Sequence, residues 1–358
     1  MMTEKDTDEQ TRALALWNAP DPEDGSPEQG DIVPGDGARV PRGGSSLAVG
    51  LAACALGSVV AAYIPMLGCF AIGSGAVITL VPRNALRALA TLACALVPAA
   101  LVAAVVQAAT VPSVLVACGM AVGTAWASSR SRLSPSVGFA LIGCGALALI
   151  GVDVIQLLSA GSSMADKITQ LVNAYASGVG VASVSVAAQV EALRVTLQVY
   201  WPSAYLVVAL AEFACALLGV RASVRREGLR VSMPALAEYD VPVWLIGVLV
   251  ADILGLTAAG LVPQAYAGAV DMASANLLVA LRIACAVQGF AVIAWFIRTR
   301  HVGALAGACA IVAGLFLEDQ FYVMTIVGLI DVWKNFRHLP RGAKTTVQGT
   351  TDQDQKSA

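Results

Sequence analysis

The 358-residue chain is 58% hydrophobic and 13% charged, carries a formal net charge of −2 and has a mean hydropathy of +0.75. Soluble domains carry about 25% charged residues, so this composition excludes an ordinary soluble protein and indicates a polytopic membrane protein.

The two ends of the chain differ in composition from the middle. Residues 1–44 are rich in Asp, Glu, Gly and Pro, and residues 339–358 are mostly polar. Such segments cannot bury enough apolar surface to offset the entropy that is lost on ordering. We therefore predict a disordered tail at each end of a transmembrane domain that covers residues 45–338.

The middle of the chain is a series of apolar segments separated by short polar junctions. Because a transmembrane helix needs about 20 apolar residues, this pattern predicts an all-α transmembrane bundle of about eight to ten spans. The first two segments can fall short of full spans, and the short last two can form a shallow hairpin. The candidate spans are 46–64, 66–82, 85–107, 112–128, 136–159, 202–220, 242–262, 274–297, 302–317 and 320–334.

One long polar interval, residues 161–201, divides the candidate spans into two equal groups. Ser163 and Asp166 have the spacing of a capping box, and apolar residues follow at helical spacing. After a break at Gly178 and Gly180, residues 186–200 form a second helical pattern with one apolar and one polar face. We predict an amphipathic helical hairpin outside the membrane core, either a surface cap on the bundle or a mobile gate over a binding site.

The basic residues predict which side of the membrane each junction faces. In the interval 161–201 the basic residues are Lys167 and Arg194, whereas the larger basic groups fall at every second junction. Under the positive-inside rule, both termini are cytoplasmic and the hairpin is extracytoplasmic. Because topology explains these short basic groups, we expect no nucleic-acid binding. The sixteen residues on the cytoplasmic side are Arg39, Arg42, Arg83, Arg87, Arg130, Arg132, Arg221, Arg225, Arg226, Arg230, Arg298, Arg300, Lys334, Arg337, Arg341 and Lys344.

Several polar residues lie inside the predicted spans, where a charge is costly unless it has a partner, water or a function. One interpretation makes Arg282 a buried counter-ion for one of three acids. The other makes the group a polar cavity that binds a small polar or zwitterionic solute in the outer half of the membrane. With three acids and one base, at least one carboxyl must be protonated, hydrated or opposed by a cationic ligand. The candidate substrate-binding residues are Asp153, Glu212, Asp252, Asn276, Arg282 and Gln288.

The end of the last span carries a short polar sequence that faces the cytoplasm in this topology. Asp331 and Lys334 are one helical turn apart, which is typical of a surface ion pair. Asp331 and Arg337 are also candidates for docking a cytosolic partner.

Sequence motifs of common enzymes are missing. The chain has no GxxxxGK[ST] phosphate loop, no HExxH and no GxSxG, so we expect neither ATP hydrolysis nor hydrolase chemistry by this chain. Its eight cysteines lie in apolar segments without metal-ligand spacing, and we expect no metal site and no cofactor.

Several stretches together resemble the YybS-like family of uncharacterised bacterial membrane proteins, over residues 46–338. The resemblance implies a bacterial plasma-membrane protein. That family is distantly similar to the substrate-binding subunits of energy-coupling-factor transporters, which work with separate membrane or cytosolic ATPase subunits. Those subunits have about six spans, fewer than we predict here. The stretches are 200–204, 233–242, 276–278, 288–289, 328–331 and 336–337.

Three functional hypotheses follow. The first is a membrane subunit that binds a small solute for a transporter and lacks its own ATPase. The second is a non-transporting scaffold that organises cell-envelope or regulatory partners. The third is a self-contained secondary transporter built from two inverted halves, although the halves show no internal sequence similarity.

Overall fold

The structure is a computed structural model that describes residues 45–179, 184–229, 231, 235–258 and 263–339. Both predicted tails except Leu339, the break at Gly180, and part of the stretch 233–242 lie outside these residues. In the described ranges every regular element is a helix. The helices are α1 (Ser45–Ala61), α2 (Pro65–Leu80), α3 (Ala85–Gln107), α4 (Val111–Ser129), α5 (Pro135–Ser159), α6 (Met164–Val179), α7 (Val184–Glu227), α8 (Trp244–Ala258), α9 (Gln264–Thr299), α10 (Ala304–Phe321) and α11 (Val323–Lys334), with 3-10 turns at Ala108–Thr110 and Leu236–Glu238.

Five helical runs are long and apolar enough to cross a membrane, and three further apolar helices are shorter. The longest apolar run, Ala85–Ser129, is two helices that pack side by side, because Ala99 of α3 and Ala117 of α4 share one buried core. The chain therefore folds back at the turn Ala108–Thr110. The all-α transmembrane bundle that the sequence predicts is confirmed.

The first half of the bundle is α1 to α4 together with the second half of α7. Small residues let these helices approach closely, as is common between helices in membranes. A Cβ added at Gly73 would lie 2.3 Å from the carbonyl oxygen of Ala216, and one added at Gly219 would lie 2.0 Å from that of Phe70. The contact between α2 and α7 thus depends on glycine on both helices.

The second half is built on α9, which packs against α7, α8, α10 and α11. The contact between α9 and α11 is equally close, since a Cβ added at Gly328 would lie 1.9 Å from the carbonyl oxygen of Cys285. At 12 residues, α11 is about 18 Å long, well short of the roughly 30 Å of a hydrocarbon core,. Of the last two helices, α10 is therefore long enough to cross a membrane by length and composition, whereas α11 is not.

The predicted amphipathic hairpin is confirmed in its first helix and corrected in its second. In the capping box, Ser163 N–H donates to Asp166 Oδ2 at 2.9 Å and Asp166 N–H donates to Ser163 Oγ at 3.3 Å. The second helix is not separate from the next span, because α7 runs without interruption through Trp201 and Pro202. With 44 residues, α7 is about 66 Å long, so it extends well beyond one membrane crossing,.

Candidate functional site

The candidate residues from the sequence lie in separate places rather than around one cavity. Asp153 lies on α5 and contacts Lys167 of α6 and Tyr205 of α7. Asn276, Arg282 and Gln288 follow one another along α9 and bond to different neighbours. Glu212 on α7 and Asp252 on α8 are buried.

Asp153 forms the base of a cleft between α5 and α6. Its Oδ2 accepts a hydrogen bond from the Tyr205 hydroxyl and forms an ion pair with Lys167 Nζ at 2.5 Å. The Asp153 side chain is 15% exposed and that of Lys167 is 47% exposed. The carboxylate thus lies inside the cleft, and the ammonium group lies at its edge.

The cleft has a volume of about 310 Å³, at the lower end of the range of ligand sites,. Gln156 Nε2 donates to the carbonyl oxygen of Ala109 at 2.6 Å, which joins α5 to the turn between α3 and α4. Polar side chains from α5, α6 and their connection therefore converge on one concave surface. The lining residues are Ala109, Asp153, Gln156, Leu157, Ala160, Ser162, Lys167 and Gln170.

Asn276 on α9 bonds to the backbone of α7 beside Pro202. Its Oδ1 accepts from Ser203 N–H at 2.9 Å, and its Nδ2 donates to the carbonyl oxygen of Val199 at 2.8 Å. In an α-helix these two backbone groups, four residues apart, would bond to each other. The Asn276 amide therefore acts as a clamp between α9 and α7, with both of its polar atoms engaged.

Arg282 finds its counter-ion on α10, not among the three acids that the sequence points to. Its Nε donates to Glu318 Oε1 at 3.2 Å, and its guanidinium lies 4.0 Å from the centre of the Tyr322 ring. Glu318 also accepts from Thr325 N–H at 2.9 Å, in the first turn of α11. This group joins α9 to the turn between α10 and α11, where Tyr322 has a positive φ of 56°.

Gln288 belongs to a group that we call the buried polar node, formed by Gln288, Asp331, Arg337 and Asp240. Arg337 Nη2 lies 2.9 Å from Asp331 Oδ2, and neither side chain is exposed. Gln288 Nε2 donates to Asp331 Oδ2 at 2.7 Å and to Asp240 Oδ1 at 3.1 Å. Each charged group of the node thus has a partner, as a buried charge requires.

The node connects three parts of the chain at one end of the bundle. Gln288 Oε1 accepts from Val241 N–H at 3.1 Å, and Arg337 Nη1 donates to the carbonyl oxygen of Ala237 at 2.8 Å. Asp331 also accepts from Phe336 N–H at 3.0 Å. The expectation of a surface ion pair between Asp331 and Lys334 is therefore wrong, because Asp331 is buried against Arg337. A partner protein cannot contact Asp331 or Arg337 in this conformation.

Glu212 and Asp252 are buried without a visible counter-ion. They are 3% and 6% exposed, and one carboxyl oxygen of each has no hydrogen-bond partner among the described residues. At 1.5 Å per residue, Glu212 lies about 16 Å from Trp201 and about 14 Å from Arg221 along α7. Glu212 is thus near the middle of that crossing.

Several residues of these groups lie outside the sequence-based set of candidates, including Asp240 of the polar node and Tyr322 beside Arg282. Glu318 falls just beyond a predicted span, where the sequence suggests a solvated acid. Lys167 enters the sequence analysis only as one of the basic residues that assign each junction to a side of the membrane. Tyr205 is one of many aromatic residues at span ends. Among the described residues, no three His, Cys, Asp or Glu side chains are grouped so that they could hold a metal ion.

The comparison with protein families identifies one relationship. A family model described as "Predicted membrane protein (DUF2232)" matches residues 52–332. The chain belongs to the DUF2232 family. The DUF2232 match extends from α1 to α11, so it includes the cleft, the Asn276 clamp and Asp331 but ends before Arg337. No curated protein and no solved structure matches the chain.

Proposed function

We propose that this DUF2232 protein is a membrane subunit that binds a small zwitterionic solute in the cleft between α5 and α6. The observation that carries the proposal is the Asp153–Lys167 pair at the base and edge of a cleft of about 310 Å³. A zwitterion fits this arrangement, because its ammonium group can replace Lys167 at Asp153 while its carboxylate pairs with Lys167. Gln156 on α5 and Gln170 on α6 add hydrogen-bonding groups to the lining.

The cleft is a better candidate than α9 because its polar groups are less fully engaged. The side chain of Asn276 clamps α7, Arg282 is held by Glu318, and Gln288 bonds to Asp331 and Asp240. A solute at any of these positions would have to break a contact between helices. At the cleft the contact to be opened is the ion pair between Asp153 of α5 and Lys167 of α6, and the Lys167 side chain is 47% exposed. A partly exposed ion pair is worth little on its own.

The basic junctions support an orientation for this proposal. In the proposed orientation, which the positive-inside rule supports, both termini are cytoplasmic and the cleft faces outward. We propose the bacterial plasma membrane as the location of the protein. A solute captured in the cleft would be taken up with the help of separate ATPase subunits, as in the transporters that the YybS-like family resembles. The scaffold alternative is less well supported, because its two candidate docking residues are buried in the polar node.

The test uses the full-length protein in detergent, with the twenty amino acids and glycine betaine as probes in a thermal-shift screen. We expect at least one probe to raise the unfolding temperature of the wild type. The Lys167→Met variant should weaken that binding by up to about fivefold, since a partly exposed charge pair contributes about 0.2–1 kcal/mol.

Arg194→Met is the matched control, because Arg194 forms an exposed ion pair with Glu191 on α7, away from the cleft. It should bind like the wild type. If no probe shifts the wild type, or if both variants respond alike, the cleft is not a zwitterion site.

A further inference from the structure

We propose that Glu212 is a proton-binding site in the middle of the helix bundle. This inference concerns a residue away from the cleft and does not rest on the proposed solute. It starts from the position of Glu212 between two apolar cores. Ala216, one turn further along α7, belongs to the core shared with α2 and α4, and Ala209 belongs to the core shared with α5.

The ionisable groups that face Glu212 supply no positive charge. They are the thiols of Cys69 on α2, Cys118 on α4 and Cys215 on α7, while Cys144 of α5 is exposed. Cys69 Sγ already bonds to the carbonyl oxygen of Ala117 at 3.5 Å. Among the described residues, no basic side chain lies within ion-pair distance of Glu212.

A carboxylate in such a place has lost its hydration without gaining a cation or, at Oε2, a donor. Burial of this kind strongly favours the neutral acid over the anion. The Asp331 carboxylate shows the alternative, since it is also buried but is matched by Arg337 and Gln288. The chain therefore matches one buried acid with a cation and leaves another, Glu212, without one.

The chemical probe is dicyclohexylcarbodiimide, an apolar reagent that enters membranes and reacts with protonated carboxyl groups. The carboxyl O–H adds across one C=N bond, the proton goes to nitrogen, and the resulting O-acylisourea rearranges to a stable N-acylurea without a leaving group. The full-length protein in detergent is treated between pH 5 and pH 9, and the modified residue is found by peptide mass spectrometry.

We expect modification at Glu212 that declines as the pH rises, and a protonated-carboxyl C=O band in the infrared spectrum that is lost in Glu212→Gln. Asp252→Asn is the matched control, because it removes the other buried acid that has an unpartnered carboxyl oxygen and should leave the Glu212 adduct in place. The peptide map of the wild type does not depend on whether either variant folds.

The proposal is overturned if Glu212 remains unmodified across the pH range while the reagent labels other acids. It is also overturned if Glu212→Gln leaves the protonated-carboxyl band unchanged.

Discussion

The buried polar node offers the sharpest test of how the C-terminal half of the bundle is held together. Replacing Arg337 by Gln removes the charge that faces Asp331 but leaves that carboxylate fully buried. Breaking a buried ion pair by removing one partner typically costs about 3–5 kcal/mol, because the remaining charge is unpaired. Gln288 and the Phe336 N–H still bond to Asp331, so we expect the lower end of this range.

Thermal unfolding of the full-length protein in detergent measures this effect. With an unfolding entropy of about 2.1 cal/mol/K per residue, 1 kcal/mol corresponds to roughly 1.3 °C for a chain of 358 residues,. The apparent unfolding temperature of Arg337→Gln should therefore fall by about 4 °C. Arg194→Gln is the control, because its ion pair is exposed and should be worth less than about 1 kcal/mol,.

A double variant separates the ion pair from simple loss of packing. Asp331→Leu combined with Arg337→Met leaves no buried charge, so it should recover part of the stability that Arg337→Gln loses. The reasoning is refuted if Arg337→Gln unfolds within about 1 °C of Arg194→Gln, a margin equivalent to less than about 1 kcal/mol for this chain length. It is also refuted if the double variant is less stable than Arg337→Gln.

Two further predictions address other parts of the fold. Gly219→Ala should destabilise the protein by about 1–3 kcal/mol, because its Cβ would lie 2.0 Å from the carbonyl oxygen of Phe70, whereas Gly143→Ala meets nothing within 4 Å and should be neutral,. Both are measured by thermal unfolding. Hydrogen bonds from the Ser163 hydroxyl and amide lower the pKa of the exposed Asp166. That capping contribution is complete above the ordinary Asp pKa of about 3.9 and is lost as the pH falls through the lower folded-state value. The difference in unfolding temperature between wild type and Asp166→Asn should therefore narrow below about pH 4, and a constant difference would contradict it.

Local sequence patterns were sufficient for the elements that depend on local physics. The third predicted span, 85–107, coincides with α3 (Ala85–Gln107), and the capping box begins α6 where its spacing indicates. These features depend on residues within a few positions of one another, and a single sequence contains that information. Continuity of α7 through Pro202 was missed, because Pro and a polar interval normally signal a boundary. The sequence around Pro202 does not show that Asn276, on another helix, bonds to the backbone of Val199 and Ser203.

The polar partners were missed for the same reason. Arg282 and Glu318 are 36 residues apart, and the residues of the polar node come from three segments between Asp240 and Arg337. Composition and topology show that a charge at membrane depth needs a partner. They do not show which of several acids lies opposite, since that depends on how the helices pack.

The arrangement along α9 explains why the binding proposal moves from that helix to α5 and α6. Asn276, Arg282 and Gln288 are six residues apart, about 9 Å each, and bond in turn to α7, to the α10–α11 turn and to the polar node. At about 100° per residue, each six-residue step turns the side chain by about 240°, so the three side chains face different directions around α9. Each therefore joins α9 to a different neighbour. Asp153 differs from them because the chain surrounds it with a concave, partly open surface. A polar group contributes to recognition only where the fold leaves room beside it, and among these candidates Asp153 meets that condition.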